Sequence, residues 1–200
     1  MKYFMTRLYT LSLLLTLPLT AQAASVEEIE SYLNGITTLE ADFQQQAPGT
    51  PYMTGTLYLN RPKQFLWQYK IPNEQKLVST GSRLFFHDPE TEQTTQLPLH
   101  SGFAGLLTKD SFSFNNGDFN IHNIQNYDDV TIIELSLKQD DENSFVLKFN
   151  NKPLSLLSMS SRDNFGQGVS ILFANLQQGH TLDASLFNFK PVLEEFTLDN

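Results

Sequence analysis

The sequence predicts a mainly β fold with short helices, built on one curved antiparallel sheet of about eleven strands, and three observations carry that expectation. Apolar side chains alternate with polar ones over many short segments, the period of a strand with one face buried. Turn-forming residues punctuate those segments at close intervals: Pro48-Gly49, Arg61-Pro62, Pro72-Asn73, Asp88-Pro89, Asn116-Gly117-Asp118, Asp140 to Asn143, Asn150-Asn151, Gly166 to Gly168 and Gln178-Gly179. Beyond the N-terminal leader, only two stretches depart from this rhythm, and both have helical spacing.

The leader comes first. Lys2 and Arg7 precede an apolar run from Leu8 to Leu19, broken by Pro18, and Ala21-Gln22-Ala23 supplies a small-x-small cleavage pattern. The run falls well short of the roughly 20 residues a spanning helix needs. Residues 1–23 therefore read as a cleaved secretory signal peptide, and 24–200 as a single exported domain.

Ser25-Val-Glu-Glu28 is a capping box, and Val26, Ile29, Leu33 and Ile36 follow it at helical spacing, so a helix with one apolar stripe is expected from there to about Ile36. From Leu39 the period becomes two. Leu39, Ala41 and Phe43 form one alternating set, and Leu57 and Leu59 another. The clearest strand is Gln64 to Ile71, where Phe65, Trp67, Tyr69 and Ile71 face one way, and Gln64, Leu66, Gln68 and Lys70 the other. Ile133, Leu135 and Leu137, then Phe145, Leu147 and Phe149, repeat the pattern. Between these groups Leu99 to Asp110, with Phe103, Leu106 and Leu107, reads as a short second helix.

A sheet of this length curls because strands twist, and its apolar face must be covered. Two short helices fill a large concave face less densely than a second sheet would. Either the barrel closes around its own side chains or a cavity remains.

Composition narrows the function. Removing Lys2 and Arg7 with the leader takes the formal net charge from −9 to −11, a surface that repels phosphate and anionic headgroups, so no nucleic-acid partner is expected. There is no cysteine, hence no disulfide, no thiolate ligand or nucleophile and no lipid-accepting cysteine. His87, His100, His122 and His180 are scattered, and no serine sits in a G-x-S-x-G context. The carboxylate pairs at Glu27-Glu28, Asp128-Asp129, Asp140 to Glu142 and Glu194-Glu195 lie beside turns or helix starts and read as solvated; the Asp140 run lacks the glycine and terminal glutamate of a calcium loop. No catalytic residue, cofactor or metal site is predicted. The unusual feature is 16 phenylalanines beside one tryptophan, which is either a phenylalanine-rich core or an aromatic wall.

The run Leu57-Tyr-Leu-Asn-Arg-Pro-Lys-Gln-Phe-Leu-Trp67 contains R-P-x-x-F-x-W. It is followed by Pro72-Asn73-Glu74, Leu77-Val78-Ser79-Thr80-Gly81, Leu84-Phe85-Phe86-His87-Asp88-Pro89 and Glu92-Gln93, and preceded by Asp42-Phe43-Gln44-Gln45. In order and spacing this resembles the LolA family, periplasmic carriers of outer-membrane lipoproteins, most strongly from about Gly55 to Gln93 and collinearly to Phe189. The resemblance implies an unclosed β-barrel with an α-helical lid over an apolar cavity for acyl chains. It implies that Phe43, Leu57, Leu59, Phe65, Trp67, Tyr69 and Phe85 line that cavity, and that Phe103, Leu106 and Leu107 belong to the lid. Arg61 matches the arginine that ties the lid shut in that family. The implied setting is a monomer in the periplasm whose partners are acylated lipoproteins, an inner-membrane lipoprotein-releasing ABC transporter and a LolB-like outer-membrane acceptor. The tail departs from the family pattern, because Phe187-Asn-Phe-Lys-Pro191 leads into Val-Leu-Glu-Glu instead of a proline-glycine turn. Two other readings stay open: a lipoprotein-sensing module of related fold, for which a second domain would be expected, and a periplasmic hydrolase working through His87 or His180.

Pro62 removes a ladder donor, so Arg61 is expected at a strand edge, where its five donors can reach carbonyls of a neighbouring helix. Gly102 and Gly105 weaken the second helix by about 1 kcal/mol each relative to alanine, as suits a cover that opens.

Overall fold

Ser25 opens the first helix, α1 (Val26–Gly35), and both halves of the capping box form: its hydroxyl accepts from the Glu28 N–H at 3.2 Å and its own N–H donates to Glu28 Oε2 at 2.7 Å. The computed structural model describes residues 23–70, 72–80, 83–99, 102–114, 119–138, 140–162 and 168–190. Residues 1–22 of the leader, Ile71, His100, the Asn116-Gly117-Asp118 turn, Gly166 and the tail beyond Lys190 lie outside the described residues. Among the described residues no helix is long and apolar enough to cross a membrane.

After α1 come β1 (Thr38–Gln46), β2 (Met53–Asn60), β3 (Gln64–Tyr69), β4 (Lys76–Thr80), β5 (Arg83–Asp88) and β6 (Gln93–Pro98). The short helix α2 (Gly102–Leu107) follows, then β7 (Phe119–Asn126), β8 (Val130–Leu137), β9 (Asp140–Asn151), β10 (Leu154–Arg162), β11 (Ser170–Gln178) and a 3-10 turn at Ala184–Phe187. The eleven strands form one antiparallel sheet in the order β6-β5-β4-β3-β2-β1-β11-β10-β9-β8-β7. Each half is a meander of neighbours in sequence, and the halves meet where β1 pairs with β11. The outer strands β6 and β7 are the two ends of the sheet, so the barrel is unclosed.

Register carries the alternation of single strands into rows. Leu39 lies opposite Leu59, and Leu59 opposite Phe65; Ala41, Leu57, Trp67 and Leu77 make the next row. From the other half Ile133 faces Leu147 and Leu135 faces Phe145. Irregularities at Glu40/Asp42, Ile121/Asn123 and Leu156/Ser158 insert extra residues of the kind that bend and twist a strand. All these rows belong to one buried cluster on the concave side, which also takes in Ile29 and Leu33 of α1 and Ala104, Leu106 and Leu107 of α2.

The expectation that these strands keep one wet face is corrected for part of the sheet. Leu66, Val78 and Phe85 are buried on the opposite side of β3, β4 and β5, where Phe187 completes a second cluster with Leu182, Leu186 and Phe189 packed against it. The chain after β11 folds back and covers this part of the sheet.

Candidate functional site

The two helices are held over the concave face in different ways. α1 is pinned by its polar side chains. Asn34 exchanges two hydrogen bonds with the backbone of Phe112, donating to its carbonyl at 2.9 Å and accepting from its N–H at 2.7 Å. Glu30 Oε2 accepts from the Phe114 N–H at 2.7 Å, and the Tyr32 hydroxyl accepts from the Leu156 N–H and from Gln178 Nε2. α2 has only six residues, all between Gly102, at φ +56°, and Leu107. It is too short to be stable by itself and depends on what its side chains touch. Leu106 and Leu107 are buried, and Phe103 is half-buried with its ring edge-on to Phe145 at 5.7 Å between centroids.

Arg61 stands between them. The β2–β3 turn delivers its side chain to the C-terminal end of both helices: Nε donates to the Leu107 carbonyl at 3.0 Å and Nη1 to the Leu33 carbonyl at 2.6 Å. Carbonyls in a last turn lack helical partners, and a rigid planar fork can reach two of them at once. The guanidinium also lies 4.9 Å over the Phe112 ring, while Nη2 is buried without a hydrogen-bond partner. Burial lowers the pKa of Arg61 to about 10, with Asp110 acting in the opposite direction, so the side chain stays charged at neutral pH.

Beneath α2 the concave cluster leaves an apolar cavity of about 210 Å³. Phe65, Trp67, Leu77 and Leu84 form its sheet wall, Phe103 and Ala104 its cover, and Gln45 and Tyr69 stand in the same lining. Its volume lies below the roughly 300–1,000 Å³ of ordinary ligand pockets. Wider depressions of about 720 Å³ exist on the outside, one edged by Glu27, Glu28 and Lys152. Charged side chains such as Glu27, Glu28, Asp128 and Asp129 edge them, whereas aromatic and aliphatic side chains wall the smaller space, so it is the better candidate site for hydrocarbon.

The residues singled out in the sequence divide into three groups. Phe65, Trp67 and Tyr69 line the cavity, and Phe103 covers it. Phe43, Leu57 and Leu59 belong to the packed core around it, as do Leu106 and Leu107. Phe85 does not reach it and is corrected: its side chain lies in the convex cluster, and its neighbour Leu84 takes the inward place. The run Leu84-Phe85-Phe86 is apolar at three consecutive positions and has no period from which the inward residue can be read. Gln45, Leu77, Leu97 and Ile171 also line the cavity and were not singled out. Gln45 was legible, because it continues the inward alternation of Ala41 and Phe43.

Aromatic rings build the wall. Phe43 lies 4.2 Å from Trp67 and edge-on to Tyr69 at 5.3 Å, and Trp67 is in turn edge-on to Phe173. The Tyr69 hydroxyl donates to Gln45 Oε1 at 2.9 Å. Burial raises the Tyr69 phenol above its ordinary range, and Gln45 and the Trp67 indole pull the other way. The indole N–H thus acts on the phenol but completes no hydrogen bond.

Among the described residues no three His, Cys, Asp or Glu side chains come together as a metal site. His87 contacts Thr94, and His180 contacts Glu40. His122 reaches Ser136 at 2.8 Å, but Ser136 is fully buried and its hydroxyl offers a substrate no approach.

Residues 34–190 match the family model described as outer membrane lipoprotein carrier protein LolA. The outer-membrane lipoprotein carrier protein of Methylococcus capsulatus is 32% identical over 179 residues, covering 86% of each chain. That of Chromohalobacter salexigens is 31% identical over 188 residues, covering 88% of each. Among solved structures, an uncharacterized conserved protein from Thermus thermophilus superposes with a TM-score of 0.52 at 13% identity, over 84% of this chain and 95% of that one, a likeness of fold alone.

Proposed function

The chain belongs to the LolA family of outer membrane lipoprotein carrier proteins, and on that premise we propose that it shields the acyl chains of lipoproteins on their way across the periplasm. The observation that carries the reading is the joint hold of Arg61 on Leu33 and Leu107 above an apolar cavity. The cavity in its closed form is too small for a multi-chain anchor, so loading requires α2 to move away, and the carbonyl of Leu107 is where the hold breaks. Each methylene withdrawn from water contributes roughly 0.8 kcal/mol, so several acyl chains held without competition would never leave. Competition comes from the protein's own lid. When α2 lifts, Phe103, Leu106 and Leu107 leave their packing; acyl chains take their place, and reclosure across Arg61 drives the acyl chains out again.

In this reading cargo arrives from an inner-membrane lipoprotein-releasing ABC transporter and leaves to an outer-membrane acceptor. The protein works as a monomer and without catalysis, and the acidic surface keeps the empty carrier off anionic headgroups. The test mixes purified mature protein with a detergent-solubilised diacylated lipoprotein, dilutes the detergent and analyses the soluble fraction by native mass spectrometry. A one-to-one complex is expected; precipitation of the lipoprotein with the protein left empty overturns the reading.

A further inference from the structure

Among the described residues of the cavity wall, Trp67 carries a buried donor that completes no hydrogen bond. It is 4% exposed, and its indole nitrogen is buried without a hydrogen-bond partner. Buried polar groups are nearly always paired; the indole acts on the Tyr69 phenol without completing a hydrogen bond to it, so the donor is open to a better-placed partner from outside the fold. An indole N–H only donates, so that partner must be an acceptor.

The position of the donor says where the acceptor sits. Along β3 the inward side chains run from Phe65, fully buried, through Trp67 to the half-buried Tyr69, so the cavity deepens towards Phe65 and opens towards Tyr69. The Tyr69 hydroxyl is already donated to Gln45, which fixes the rim beside the indole. A long-chain ligand entering from the rim places its methylenes against Phe65 and its first polar atoms level with Trp67.

Chemistry narrows those atoms further. A carboxylate would lose its hydration in a wall whose described residues offer no cation, and it would enter a chain whose formal charge is already −9. A neutral carbonyl carries an acceptor at far smaller desolvation cost. We infer that the Trp67 indole N–H is a recognition donor for the ester or amide carbonyl that heads an acyl chain in the cavity. The inference rests on the carrier reading and adds to it a preference for acyl over alkyl chains.

Trp67 is the sole tryptophan, so its indole N–H gives a single resonance in the intact protein. Isotope-labelled mature protein is titrated with a synthetic diacylglyceryl-cysteine peptide bearing two palmitoyl esters, and in parallel with the same peptide bearing two hexadecyl ethers. Both are expected to shift the methyl signals of Leu84 and Ile171. Only the ester should move the indole proton downfield, and it should bind roughly 3- to 10-fold more tightly, the yield of one hydrogen bond. Trp67→Phe should erase that preference, so that ester and ether no longer differ in affinity. If both peptides bind wild type equally and the indole proton stays in place, the inference is overturned and the carrier reading stands. Binding of neither peptide overturns both. Should the variant fail to fold, the ester and ether comparison on wild type decides alone.

Discussion

Phe43 and Trp67 sit on strands that are not neighbours, β1 and β3, and their rings meet at 4.2 Å across the intervening strand, which presents Gly55 beneath the Phe43 ring. A Cβ at position 55 would collide with the Phe43 ring and with the backbone carbonyl of Gln68. The aromatic wall therefore depends on a missing side chain.

Gly55→Ala is expected to destabilise the protein by about 1–3 kcal/mol, the usual cost of forcing extra volume into a packed site. Urea unfolding measures it. A variant as stable as wild type would show that the Phe43 ring has room to swing aside.

Arg61→Leu leaves the Leu107 and Leu33 carbonyls without their donor, and Arg61→Lys replaces the rigid planar fork that spans both with a flexible, strongly hydrated ammonium. In either variant the amide protection of Leu106 and Leu107 should fall roughly ten-fold or more while strand amides keep theirs, since local opening is independent of global unfolding. Hydrogen exchange resolved by residue checks this. Unchanged protection of α2 would mean that its apolar side chains hold it without the arginine.

Leu84 and Phe85 are adjacent, yet they face opposite sides of the sheet. Leu84→Ala should cost about 2–5 kcal/mol and Phe85→Ala about 3–5 kcal/mol. Only the first should change affinity for an acylated peptide. Equal effects on affinity would refute the assignment of faces.

Asp42 of β1 ties together β2, β11 and the residue that follows β3 on the convex side. Its carboxylate accepts from Asn175 Nδ2 at 2.9 Å, from Lys70 Nζ at 3.0 Å just past β3, and from the Thr56 hydroxyl at 3.3 Å. These hold its pKa below the ordinary 3.8, with Asn175 the largest influence and Lys70 next. A carboxyl with a depressed folded pKa leaves the unfolded chain binding more protons, so its stabilisation is present above 3.8 and is lost as the pH falls below that value. The melting temperatures of wild type and Asp42→Asn should differ at about pH 7 and converge under acid below 3.8. A difference that persists at the acid end would assign it to the shape of the side chain instead of its charge.

Local signals made much of this architecture legible. The capping box at Ser25 and Glu28 forms as read, because both partners lie within one turn. The alternation of Phe65, Trp67 and Tyr69 identified an inward face, because β3 has polar residues at most outward positions. Arg61 was placed by the proline that follows it. What stayed hidden was set by contacts distant in sequence. Leu66 and Phe85 looked like a wet face and a cavity wall, and both are covered by the segment around Phe187, more than a hundred residues downstream. The size of the cavity was equally hidden, because it depends on how far α2 sinks into the concave face.

The pairing of β1 with β11 also dictates an order of assembly. Leu39 lies opposite Gln178 and Phe43 opposite Phe173, so the first strand of the sheet waits for the last. Each meander can zip up from hairpins as its residues become available, but the weld between them closes a loop of nearly the whole sheet, the slow kind of contact. A polypeptide delivered N-terminus first cannot finish until almost all of it has arrived, and until then the unmatched edge of β1 is left for a holding factor or a neighbouring nascent chain to find.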